Sequence, residues 1–295
     1  MLDVLAPEAA GAEGADVPDA TRRLAGFVSE GGVLVLTGAG VSTESGIPDY
    51  RDELGQWKRS PPMQYREFVG SEARRRRYWA RSLLGFKVLG HARPNAAHRL
   101  LADWERRGFV SGIVTQNVDG LHQAAGAENV IDLHGRIDRV VCLACGNQGS
   151  RSALQRELEA SNPEWAALAG VIAPDGDADP GDADDSAFRV IGCPCGGLLK
   201  PDVVFFGENV PKERVEAAFA ALEAAKLLLV VGSSLMVFSG YRFVRAAARL
   251  GRPIAVVNRG HTRADAHACI KLEGEAGRSL SDVAHFLSPS SSSDQ

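Results

Sequence analysis

The sequence predicts an α/β protein built on a doubly wound parallel sheet, with two insertions that form a smaller lobe. Three observations predict it. Short, near-continuous aliphatic runs recur between helical patterns, and a parallel sheet covered on both faces demands such runs. A glycine-rich turn follows the first of them, at the place where such a sheet holds a phosphate. Two segments, 52–93 and 136–199, break the alternation: the first is basic and aromatic, and the second carries four of the five cysteines.

Along the chain, residues 1–19 are rich in Ala, Gly and acid, with neither the basic start of a secretory signal nor the Arg/Ser pattern of a transit peptide. They read as a flexible acidic tail. The large domain is expected from 20–51, 94–135 and 200–287. Its strands are "GVLVLTG" (32–38), "VSGIVTQN" (110–117), "VIDLHG" (130–135), "KLLLVVGSS" (226–234), "PIAVVN" (253–258) and "CIKLEG" (269–274), with helices over 94–108 and 211–225. Residues 52–93, centred on "EARRRRYWARSLLG", read as a helical insertion, and 288–295, "SPSSSSDQ", as a disordered tail. Within 136–199 the run "APDGDADPGDADDSA" (173–187) spaces Asp175, Asp177 and Asp179 like a calcium loop. It lacks the glycine at position 6 and has Ser186 at position 12, so a solvated acidic loop is expected instead.

The 295 residues suffice for a large core, and the net charge of −4 gives no electrostatic footprint for nucleic acid. No apolar run approaches the roughly eighteen residues of a membrane helix, so no membrane partner is expected and the chain reads as cytoplasmic. An odd number of cysteines without a secretory signal argues against a disulfide framework. Cys142 and Cys145 form a C-x-x-C pair, Cys193 and Cys195 a C-x-C pair, each followed by glycine. Four thiolates around one ion select zinc or iron–sulfur and leave no open position for water, so the metal is structural. His134, eight residues before Cys142, is thereby spared from metal ligation. Cys269, in an apolar run, reads as a packed thiol.

The turn "TGAGVSTESGIPDYR" (37–51) supplies Gly38 and Gly40 for close backbone approach, with hydroxyls on Ser42, Thr43 and Ser45. The fingerprint's third glycine is replaced by Thr43, and no strand ending in an acid follows some twenty residues on, so a dehydrogenase pattern is not met. Later strand ends at Gly232, Ser233, Ser234 and at Asn258, Arg259, Gly260 extend the site into one dinucleotide cleft.

These residues resemble the sirtuin family of NAD-dependent protein lysine deacylases. The resemblance rests on "GAGVSTESGIPDYR", "TQNVDGLH" (115–122), "LHG" (133–135), the paired cysteines, "KPDVVFFGE" (200–208), "GSSL" (232–235) and "VNRG" (257–260), in family order over about residues 20–287. "DYR", "RYWAR" and "APDGD" look most like the class II branch, and the N-terminus favours a bacterial-type member. The resemblance implies a Rossmann-like domain, one structural zinc per chain on the four cysteines, and NAD as a consumed co-substrate. His134 is then the general base that takes a proton from a ribose hydroxyl, a task suited to imidazole. Asn117 and Asp119, with Gln116 beside them, line the nicotinamide ribose and carboxamide. Gly38, Ala39, Gly40, Thr43, Ser45, Asp49, Tyr50, Arg51, Gly232, Ser233, Ser234, Asn258, Arg259, Gly260 and Ala276 complete the nucleotide contacts.

Val204, Phe205, Phe206 and Gly207 would take an acyl-lysine peptide by strand addition and wall its lysine tunnel. Tyr78 and Arg81, three residues apart on a predicted helix, share a face, and their spacing resembles that of sirtuins preferring carboxyl-bearing acyl groups, which an arginine could pair bidentately. Two other functions use the same cleft: transfer of ADP-ribose from NAD to protein, and NAD sensing by a non-catalytic zinc scaffold.

Overall fold

A computed structural model describes residues 17–54, 56–58, 62–168, 171–172, 177–179 and 183–287. The expected C-terminal tail and residues 1–16 of the expected N-terminal one lie outside them. Val17–Asp19, read as tail, instead open helix α1 (Val17–Ser29). Its Ala20, Leu24 and Val28 recur every four residues and are all buried, so packing of one apolar stripe outweighs the polar composition upstream.

The chain continues through β1 (Val33–Thr37), α2 (Tyr65–Gly70), α3 (Glu72–Leu89), α4 (Ala96–Arg106), β2 (Val110–Thr115), α5 (Leu121–Ala124), β3 (Val130–Asp132) and β4 (Gly135–Cys142). Then follow β5 (Gln148–Ser150), α6 (Arg151–Ser161), α7 (Pro163–Ala166), β6 (Val171–Ile172), β7 (Ala178–Asp179) and β8 (Leu199–Val203). The chain closes with α8 (Lys212–Ala224), β9 (Leu227–Val231), α9 (Phe238–Arg249), β10 (Ile254–Asn258), β11 (Ile270–Glu273) and α10 (Ala276–Leu287).

Six strands form one parallel sheet in the order β11-β10-β9-β1-β2-β3. Every residue of β1, β9 and β10 is buried, as a strand covered on both faces must be. Helices α1, α4 and α10 cover one face through Leu24, Leu101, Trp104 and Leu280. Helices α8 and α9 cover the other through Leu222, Phe243 and Val244. From β1 the chain winds one way through β2 and β3, then returns to wind the other way through β9, β10 and β11. The connections that leave β1 and β9 therefore run to opposite sides of the sheet, and the crevice where such sheets bind ligands opens at that switch point.

The second sheet is antiparallel, in the order β5-β4-β8. It takes in more chain than expected: the predicted return to the large domain at residue 200 falls inside β8, which pairs with β4. There Lys200 is only 5% exposed and is paired with Glu208 at 3.1 Å, as a buried charge must be. The small lobe has its own core of Phe68, Tyr78, Trp79, Leu83, Leu154 and Trp165. The basic run at its centre is partly used as caps: Arg75 donates to the carbonyls of Phe68 and Val69, both at 2.9 Å, closing the C-terminus of α2.

The acidic loop needs one correction. Asp175 lies outside the described residues, but Asp177 is only 5% exposed and its Oδ2 lies 3.6 Å from Arg81 Nε. It is not solvated, because the small-lobe core holds a fully buried guanidinium, Arg151, whose charge favours a carboxylate nearby. Cys269 also departs from expectation: β11 begins one residue later, at Ile270, and the thiol is exposed.

Candidate active site

A cavity of about 390 Å³ opens along the carboxyl edge of the large sheet and continues between the lobes. It is lined by the ends of β1 (Gly38, Ala39, Gly40), β2 (Gln116, Asn117, Asp119), β3 (His134), β9 (Gly232, Ser233, Ser234) and β10 (Asn258, Arg259). Crossing from β10 to β3 takes four strand spacings, roughly 19 Å, a span suited to a dinucleotide laid over the strand ends. The turns after β1 and β9 must touch for this floor to form. A Cβ at Gly38 would stand 2.7 Å from the Ser233 side chain, and one at Gly232 would stand 2.3 Å from the Val41 nitrogen. Only glycine lets these two backbones meet.

His134 is half-buried at the cavity floor. Its Nδ1 lies 2.8 Å from the Gln116 carbonyl oxygen. A carbonyl only accepts, so Nδ1 carries the proton and Nε2 keeps its lone pair. Ser239 Oγ lies 2.7 Å from Nε2 and donates to it. Burial, aided by the positive charges of Arg242 and Arg214 and opposed by the Gln116 carbonyl, pushes the imidazole pKa down to about 4. The ring is thus neutral at pH 7, with its basic nitrogen toward the cleft. The glycine after it is forced: a Cβ on Gly135, whose φ is +83°, would lie 2.0 Å from the Asp202 carbonyl oxygen of β8.

Ser42 joins the other polar groups. Its hydroxyl donates to Asp119 Oδ2 at 2.7 Å and accepts from Asn117 Nδ2 at 3.0 Å. Asn117 Nδ2 also donates to the Gly38 carbonyl at 3.1 Å, and the Leu121 N–H donates to Asp119 Oδ1 at 2.9 Å. Beneath them His98 and His122 lie ring to ring at 4.8 Å, both fully buried. Burial lowers their pKa values to about 4 and about 3, with Asp119 opposing the shift at His98. The floor of the cleft is thus two neutral rings under one carboxylate.

Most residues expected at the site line the cavity: Asp49, Tyr50, Arg51, Val204, Phe205, Phe206, Gly207 and Tyr78 do so along with the strand-end residues above. Thr43, Ser45, Gly260, Ala276 and Arg81 do not. Thr43 bonds back to the Gly40 carbonyl, and Ala276 is buried at the start of α10, where Glu44 Oε2 accepts the Gly277 N–H at 2.8 Å. Gly260 packs against the backbone of Glu53, and Arg81 is turned to Asp177. The expected substrate strand stops at Val203; beyond it the Val204 N–H donates to the His134 carbonyl at 2.8 Å, and Phe206 bridges to Gln64 and accepts the Tyr65 N–H. Sequence reasoning missed Ser239, Arg242, Trp57 and Phe238, which also line the cavity. Nothing in their local pattern marks them: Ser239 meets the site through His134, 105 residues earlier in the chain, and Trp57 through Arg51 and Phe206.

At the far end of β4 the four thiols converge. Cys142 Sγ lies 3.5 Å from Cys195 Sγ and Cys145 Sγ lies 3.8 Å from Cys193 Sγ, with all four sulfurs within 4.8 Å of one another. Zn–S bonds of about 2.3 Å at tetrahedral angles separate sulfurs by about 3.8 Å, so the set fits one zinc ion, and the tighter Cys193-Pro194-Cys195 spacing still brings both of its sulfurs into the cluster. Strand rise puts this cluster on the order of 20 Å from His134.

The Sir2 family model matches residues 38–239, from the glycine turn to Ser239. The chain belongs to the Sir2 family. Among its Sir2 relatives, the NAD-dependent protein deacetylase of Bordetella bronchiseptica is 58% identical over 252 residues, covering 85% of this chain and 92% of that protein. NAD-dependent protein deacetylase 1 of Streptomyces coelicolor is 54% identical over 278 residues, 93% of each chain. A solved Sir2 with a p53 peptide and NAD+ superposes with a TM-score of 0.70 at 28% identity, covering 89% of this chain and 96% of that one. No helix among the described residues of this Sir2 chain is long and apolar enough to cross a membrane.

Proposed function

We propose that the protein is an NAD-dependent protein lysine deacetylase that moves the acyl group of acyl-lysine to ADP-ribose and releases nicotinamide. The observation that carries this reading is the Nε2 lone pair of His134, held toward the cleft by the bond from Nδ1 to the Gln116 carbonyl. NAD supplies a ribose carbon that exchanges nicotinamide for the acyl oxygen, and hydroxyls that then receive the acyl group. Everything else falls to the chain. Asn117 and Asp119 orient the nicotinamide ribose and carboxamide, and Ser42 fixes both side chains. His134 Nε2 takes the proton of a ribose hydroxyl as that oxygen attacks the acyl carbon; the bond from that carbon to the lysine nitrogen then breaks, the amine leaves with a proton, and one water molecule supplies the remaining oxygen of the acyl-ADP-ribose. Ser239 holds Nε2 until that hydroxyl replaces it.

The loop bearing Asp49, Tyr50 and Arg51 closes the cavity from above, its Arg51 stacked 3.9 Å over Trp57. Val204–Gly207 and Met236–Phe238 both line the cavity, and in this reading they are the two banks of its mouth; a peptide adding to the first would place its acyl-lysine between Val204, Phe205 and His134. With Arg81 engaged by Asp177, the small-lobe end of the cleft is walled by Tyr78, Met63, Leu89 and Phe205, so acetyl and other uncharged acyl groups suit it better than carboxyl-bearing ones. The four cysteines hold zinc as a structural ion remote from the chemistry.

Incubation with NAD and acetyl-lysine peptides, followed by mass spectrometry, tests the reading. Equal amounts of nicotinamide, free lysine peptide and acetyl-ADP-ribose are expected. Nicotinamide release accompanied by ADP-ribosylated protein, with the peptide still acetylated, would replace it with protein ADP-ribosylation.

A further inference from the structure

Three cations line the cleft. Arg259 pairs with Glu53 and Glu275 at 2.6 and 3.6 Å, and Arg51 stacks on Trp57. Arg242, in the second turn of α9, is half-buried and makes no ion pair among the described residues. Its Nε is buried without a hydrogen-bond acceptor, and its nearest aromatic companion is the Phe238 ring at 5.6 Å. The acids of the cleft do not answer it: Asp49 faces Lys58, Asp52 accepts the N–H groups of Leu54 and Gln56, Asp119 accepts from Ser42, and Glu208 faces Lys200. A partly desolvated guanidinium left without a counter-charge is costly in the free protein and rewards a ligand that brings an anion.

We propose that Arg242 reads a carboxylate carried by the acylated substrate, and that its source is an Asp or Glu side chain beside the acyl-lysine. Placement decides between this source and the acyl chain. Tyr78 and Met63, at the small-lobe end of the cavity, belong to or pack on the small-lobe core. Arg242 stands on the large lobe, one helical turn from Ser239 and next to Val237 and Phe238, which are 37% and 53% exposed at the mouth. A carboxylate reaching it from the mouth belongs to a neighbouring residue of the peptide. The inference rests on the deacetylase reading and names the substrate class for the same cleft.

Matched acetyl-lysine peptides flanked by Asp or Glu, by Ala, or by Lys are to be turned over by the native protein, Arg242→Ala and Arg242→Glu, alongside a succinyl-lysine peptide with Ala flanks. The native protein should favour the acidic flank over the lysine flank about tenfold in kcat/KM, the size of one charge-assisted contact. The difference should lie in the peptide KM, as uniform binding requires, and shrink as salt is raised. Arg242→Ala should lower the ratio to about twofold or less, and Arg242→Glu should turn it toward lysine flanks. If Arg242→Glu fails to fold, the Ala variant and the salt series still separate the outcomes. Indifference of the native protein to flanking charge would overturn the proposal. So would a preference that survives Arg242→Ala, selection of the succinyl chain alone, or a rise confined to the KM for NAD. Failure of the deacetylase reading shows separately, as native protein that leaves the Ala-flanked acetyl peptide untouched in the presence of NAD.

Discussion

At the N-terminal end of β4 stands His134, with one nitrogen given to a carbonyl and the other turned to the cavity; at the C-terminal end stands Cys142, its sulfur enclosed among three others. Both ends bring groups from distant parts of the chain to one point. The cysteine end leaves no donor position unused once an ion is bound, so it can hold structure and nothing else. The histidine end keeps one lone pair covered only by a serine hydroxyl, which a substrate hydroxyl can displace. The difference between the two ends of β4 is thus a count of unfilled positions.

Removing metal from the closed end should do most damage. Chelation, or Cys142→Ser, should release one zinc per chain by metal analysis and abolish cooperative melting of the small lobe, since such sites contribute on the order of 10 kcal/mol. Activity should return with added zinc in the chelated native protein. At the open end, His134→Ala should reduce deacetylation about 10²- to 10⁴-fold while the melting temperature holds and exchange of labelled nicotinamide into NAD, which needs no base, continues. A His134→Ala protein that deacetylates normally would erase the contrast between the two ends.

Acid should act between these extremes. His98 and His122 have folded pKa values of about 4 and about 3, below the ordinary 6.5. The unfolded chain therefore takes up protons that the folded one refuses. Their stabilisation is complete above pH 6.5 and is lost as pH falls from there toward 4, by about 1–2 kcal/mol per ring at pH 5. Thermal melts at pH 7.5 and pH 5 of the native protein and of His122→Gln should show a shallower loss in the variant. Ser239→Ala should slow acyl transfer a few-fold, on the order of 1 kcal/mol, leave nicotinamide exchange intact and be rescued by Thr. Smallest of all, Arg81→Ala should cost under about 1 kcal/mol of stability and leave the ranking of acetyl, succinyl and glutaryl peptides unchanged; a collapse of succinyl turnover would return Arg81 to the acyl site.

The six parallel strands were legible because each is a buried aliphatic run, and the order of the glycine turn, "QNVD" and "LHG" along them marks the carboxyl edge where a ligand lies. The four cysteines were legible by pairing alone. Arg81 was not, because its partner Asp177 sits ninety-six residues away by number in a run whose composition reads as solvent-exposed. Ser239 and Arg242 escaped for a related reason: a serine and an arginine on an amphipathic helix look like its polar face until the fold sets them against His134. Thr43, Ser45, Gly260 and Ala276 do not line the cavity: the Thr43 hydroxyl turns back to the Gly40 carbonyl, and Ala276 is buried at the start of α10.

The hydrogen that stands in for a side chain at Gly135 has a wider consequence. The Asp202 carbonyl occupies the space a methyl group would need, so alanine there would drive β8 off β4, and with it the Val204–Phe206 bank that continues from β8. The same displacement would pull on the peptide unit of His134, whose carbonyl accepts the Val204 N–H at 2.8 Å. His134 and the Val204–Phe206 segment, the base and the peptide bank of the proposed reaction, are thus hinged on a single atom, and neither can drift without the other.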